Sequence, residues 1–145
     1  MQLKNADVAE VRVILSSKIQ ATILTLNSPS VSRNIIFPEE VVMNTIKSEP
    51  LKTFVSTRTL GVYSGENINI FDEVAVVTNL YIEGDSLYAD IESIPTPTGK
   101  IFNHLQEIVE FGYSPMGTIK VDPNNRVTQL NIYGISLKPK NKYIK

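Results

Sequence analysis

The sequence predicts an α+β domain: a small, mostly antiparallel β-barrel or strongly bent sheet of about six to eight strands, with two flanking helices. Three observations carry that expectation. Apolar residues recur with a period of two in several runs, most of them bounded by Gly, Pro, Asn, Asp or Ser. Two segments show the spacing of an amphipathic helix instead. Finally, 42% hydrophobic and 20% charged residues over 145 positions supply one sizeable core.

The elements follow in order. Val11, Val13 and Leu15 alternate with Arg12 and Ile14, and Ile19, Ala21 and Ile23 resume the pattern after Ser16-Ser17-Lys18, so residues 8–26 are expected as a hairpin. Residues 27–33, with Pro29 and several hydroxyls, read as a loop. Phe37-Pro38-Glu39-Glu40 opens a helix, because Pro suits the first turn and acids complement the N-terminal dipole. Val41, Val42, Thr45 and Ile46 form its stripe, and Glu49-Pro50 is expected to end it. Residues 51–60 read as extended, and 61–69, with Gly61 and Gly65, as an exposed loop. Strands at 73–82 and 87–94 are joined through Gly84-Asp85, a hairpin signal. After Pro95 and Pro97, Ile101, Phe102, Leu105, Ile108 and Val109 place a helix at 100–111. Strands at 113–121 and 127–137 flank Asp122-Pro123-Asn124-Asn125-Arg126. The reading is one domain over 1–139 and a basic tail over 140–145, which carries three Lys.

Composition narrows the chemistry. Fourteen Lys+Arg against fifteen Asp+Glu leave no net field to attract nucleic acid or an anionic membrane, so neither is an expected partner. Without Cys there is no disulfide, thiol nucleophile or iron–sulfur site, and one His cannot build a two-imidazole metal site. No metal or cofactor is expected. Residues 1–7 are polar, without a secretory apolar core, and no apolar run approaches membrane-spanning length, so a cytosolic chain or a particle assembled there is expected. His104 falls at the edge of its helix's apolar face, a position typical of a surface or packing residue. Gly61 and Gly65 form no phosphate loop, since no Gly-Lys-Ser/Thr follows, and the adjacent acids Glu39-Glu40 and Asp72-Glu73 point apart rather than pairing.

Five segments in order nevertheless resemble the tailed-phage prohead (head maturation) serine proteases. Asn34-Ile35-Ile36-Phe37-Pro38-Glu39-Glu40-Val41 resembles the family's approach to its first helix. The stretch from Val74-Ala75-Val76-Val77 through Glu83-Gly84-Asp85-Ser86-Leu87-Tyr88 resembles its valine-serine-histidine hairpin. Thr96-Pro97-Thr98-Gly99-Lys100 is similar to its threonine-proline-x-glycine-lysine helix start. Phe111-Gly112-Tyr113-Ser114-Pro115-Met116-Gly117 is similar to the glycine-x-serine segment that carries the nucleophile, and Ile132 to Pro139 to the closing strand. The resemblance spans Asn34 to Pro139 and implies the small barrel shared with herpesvirus assemblins.

Carried over residue by residue, the resemblance places Ser114 at the nucleophile. It places Val62 and Val76 where the family has histidines. A valine cannot take a proton from a hydroxyl. Pro115 and Met116 stand in place of a small and a basic residue, and Pro115 offers no oxyanion N–H. No third catalytic group is evident among Gly134, Ile135 and Ser136. No catalytic residue is therefore expected, and the chain reads as an inactive member. Its expected role is as a phage virion protein that decorates or stabilises the capsid, or is another head component, by binding capsid or other virion proteins, with a homo-oligomer as a possible state. The alternative is an active head maturation protease using Ser114 and His104 on scaffold or capsid chains. A tail or baseplate interaction module is a further one.

Overall fold

A computed structural model describes residues 18–29 and 34–140. Six strands form a single sheet: β1 (Lys18–Thr25), β2 (Gly61–Ser64), β3 (Glu73–Glu83), β4 (Ser86–Ser93), β5 (Phe111–Val121) and β6 (Val127–Pro139). Their spatial order is β1-β4-β3-β2-β6-β5. Every pairing is antiparallel except β2 with β6, which is parallel. The sheet curls into a half-barrel, so that Gln20–Thr25 on one edge and Phe111–Tyr113 on the other line a common crevice. The first strand of the expected N-terminal hairpin and the tail beyond Lys140 lie outside the described residues.

Among the described residues three α-helices pack on this sheet, one more than the two expected. Helix α1 (Glu39–Lys47) starts after Pro38 with Glu39 and Glu40 in its first turn, as the dipole favours. Glu49-Pro50 does end it, but Pro50 also sits in the first turn of a second helix, α2 (Glu49–Ser56), where its missing N–H costs nothing. Leu51, Phe54 and Val55 then recur at helical spacing, and Leu51 is buried, so the extended reading of 51–60 is corrected. The loop expected at 61–69 is corrected in its first half. Gly61–Ser64 is the interior strand β2, buried on both faces at Val62 and Tyr63, and such a strand shows no polar alternation to read. Helix α3 (Pro97–Leu105) begins earlier than expected, because the Thr96 side chain caps it by accepting from the Gly99 N–H at 3.1 Å.

Val42, Leu51 and Phe102, one from each helix, join Val62, Val77, Ile91 and Ile135 of the sheet in one apolar cluster. That core fixes which way every strand faces, since a one-residue slip would expose the whole set.

Candidate functional site

Ser114 is the fourth residue of β5, an edge strand, and its side chain is exposed. It pairs with Ser136 of β6, and Ser136 pairs with Tyr63 of β2. Tyr63 in turn stands opposite Glu73 at the start of β3. Ser114, Ser136, Tyr63 and Glu73 thus form a cross-strand row. Val62, one residue before Tyr63, points to the other face and is completely buried between Ala75 and Ile135. Tyr63 is buried as well but lies outside the main apolar cluster.

Two glycines clear the space that Tyr63 occupies. A Cβ on Gly61 would lie 2.6 Å from the Tyr63 Oη and 2.5 Å from Glu73 Oε2. A Cβ on Gly134 would meet the other side of the ring at 3.2 Å and the Met116 methyl at 3.1 Å. The phenol therefore lies against bare backbone, with its hydroxyl beside the Glu73 carboxyl. Burial pushes the Tyr63 hydroxyl pKa up, and the Glu73 charge adds to the shift; burial also raises Glu73. A phenol held protonated in this way is a hydrogen-bond donor and a poor base. Tyr113, beside Ser114 but facing the opposite way, is pushed up to about 12 by burial.

Ser136 is buried, and its Oγ donates to the Gly65 carbonyl at 2.6 Å, tying β6 to the end of β2. A neutral serine hydroxyl is too weakly basic to take a proton from another serine, so the in-register neighbour of Ser114 gives it no base. Tyr63 is two strands away, roughly 10 Å across the sheet. On the other flank no described strand is hydrogen-bonded to Ser114, because β5 ends the sheet there. Pro115, which follows it, carries no N–H and is tolerated because it sits on an edge.

His104 is on α3 and exposed. Two residues earlier, Phe102 is buried and packs on Phe111 with ring centroids 5.5 Å apart. At 100° per residue His104 points away from that contact. No hydrogen bond joins it to Ser114 or to another described side chain. Val76 lies opposite Gly61 and Glu92, on the Tyr63 face, whereas Val62 faces the core. Among the described residues no group of three His, Asp or Glu side chains is placed to hold a metal ion. No helix among them is long and apolar enough to cross a membrane.

Sequence reasoning missed Tyr63, Glu73 and Ser136 as a group. Reading 61–69 as a loop removed the alternation that separates Tyr63 from Val62, and with it the signal that Tyr63 shares the Ser114 row.

No protein-family model matches the chain, and no curated protein matches its sequence. Its fold is similar to the solved structure of the capsid assembly protease gp21 of bacteriophage T4, with a TM-score of 0.60. The likeness covers 84% of this chain and 77% of that one at 13% sequence identity. The fold is thus prohead-protease-like, as the ordered segments implied.

Proposed function

We propose that this chain is a phage head protein that uses a prohead-protease-like fold to bind capsid or other virion proteins, without hydrolysis. One observation carries the reading: the exposed Ser114 has an edge on one flank and, on the other, a serine whose hydroxyl is already bonded to Gly65. Among the described residues, no side chain beside Ser114 is placed to take its proton. Loss of the base from a serine nucleophile costs on the order of 10⁴ to 10⁶ in rate, which removes useful turnover. What remains is an edge strand of eleven residues, exposed from Gly117 to Val121, whose free backbone groups suit an added strand. The likeness to a capsid protease supports a setting in phage assembly.

The rival reading is an active protease with Ser114 as nucleophile, favoured by the exposure of that hydroxyl on a protease-like fold. Labelling with a fluorophosphonate probe separates the two. The wild-type chain, shown folded by circular dichroism, is expected to remain unlabelled. Labelling that disappears in Ser114→Ala would establish an activated nucleophile, and its further loss in His104→Ala would identify the base.

A further inference from the structure

The two most exposed large apolar side chains among the described residues are neighbours. Phe71 is 80% and Ile70 76% exposed, on a 3-10 turn (Ile70–Asp72). The turn is held in shape: the Asn69 carboxamide oxygen accepts from the Phe71 N–H at 3.0 Å, and the Asn69 carbonyl from the Asp72 N–H at 2.9 Å. Phe71 is therefore a presented side chain on an ordered support, not a loop residue turned out at random.

Immediately beside it, with Asp72 in its lining, is a cavity of about 180 Å³. Val74, Phe102, Leu105, Phe111 and Leu137 make it largely apolar, and the exposed Ile101 lines it as well. Apolar cavities of roughly 150 Å³ hold a benzene ring. The hole thus fits a phenyl group, and the chain's most exposed phenyl group stands next to it without filling it.

We infer that this face binds a second copy of the chain, the Phe71 of each protomer entering the cavity of the other. A two-fold interface needs a patch complementary to itself, with knob and hole side by side near the axis, and that is the arrangement here. Ile68, Ile70, Phe71, Ile101 and Ile108 together leave on the order of 600 Å² of apolar surface, taking about 200 Å² per whole side chain. That stands at the upper end of the largest patches found on monomers, which are often functional, and approaches the roughly 800 Å² each partner contributes to a standard interface. Charge does not oppose it. The net charge is −1, and nearby ion pairs, Lys138 with Glu66 and Lys140 with Glu110, mix both signs. The inference is independent of whether Ser114 reacts.

Sedimentation equilibrium of the full chain tests it. The wild type should be a dimer at about 50 μM, and Phe71→Ala should weaken association by at least ~30-fold, as an aromatic anchor does. Ile101→Trp, a change at an exposed position that fills the hole, should weaken it similarly. Mixing the two variants should restore a heterodimer weaker than the wild-type dimer, since one knob and one matching hole survive. A wild type that stays monomeric overturns the inference. So does an assembly indifferent to Phe71→Ala, or a mixture of the two variants that stays monomeric.

Discussion

At the scale of single residues, the candidate site turns on parity along β2. The ordered segments placed the histidine counterparts at Val62 and Val76, and the structure puts Val62 in the core and Val76 on the Tyr63 face. Tyr63 and Glu73 occupy that face instead, and their coupling gives a test by pH. Burial holds Glu73 above the ordinary carboxylate value of about 4.3, so the folded chain keeps a proton that the unfolded chain has released. The stabilisation from that proton is fully present below the unfolded value and is lost as pH rises through the folded one. Glu73→Gln never carries the buried charge. Its urea midpoint, relative to wild type, should therefore be higher at about pH 7 than at about pH 4. An offset equal at both pH values would show that the carboxyl is not desolvated.

Among the elements, legibility followed exposure. The hairpin of β3 and β4 was readable because Gly84, at φ 57°, and Asp85 mark a turn between alternating runs. The β5–β6 pair was readable from its Asp122–Arg126 turn for the same reason. Helix α2 was hidden by Pro50, which ends one helix and begins the next across Ser48. Strand β2 was hidden by the burial of Gly61, Val62 and Tyr63, which leaves no polar alternation to mark its faces. The start of α3 was written in the chain as a Thr-Pro-x-Gly cap yet was placed three residues late. Removing that cap with Thr96→Ala should cost about 1 kcal/mol in urea unfolding, while Thr96→Ser should stay near wild type. Indifference to Thr96→Ala would mean the Gly99 N–H bond contributes nothing. Gly99 itself has no such freedom, because any Cβ there would overlap the Ile94 carbonyl.

For the whole molecule, the curled sheet and its three helices build a frame similar to that of a capsid protease at 13% identity. Periodicity conveyed that frame because hydrophobic patterning tolerates almost any apolar residue. A catalytic site has no such tolerance, and a shared fold does not bring the chemistry with it. Here the frame offers an exposed serine on an open edge, a satisfied Ser136 beside it, and a self-complementary apolar face at the far side of Phe111. Each of these features suits binding. The most direct test of the proposed head-protein role is the yield of mature particles from a phage that carries Ser114→Ala in this chain. Binding predicts a yield equal to wild type with the protein present at normal abundance. Loss of mature particles despite a folded, abundant Ser114→Ala chain would contradict the account and return the serine to catalysis.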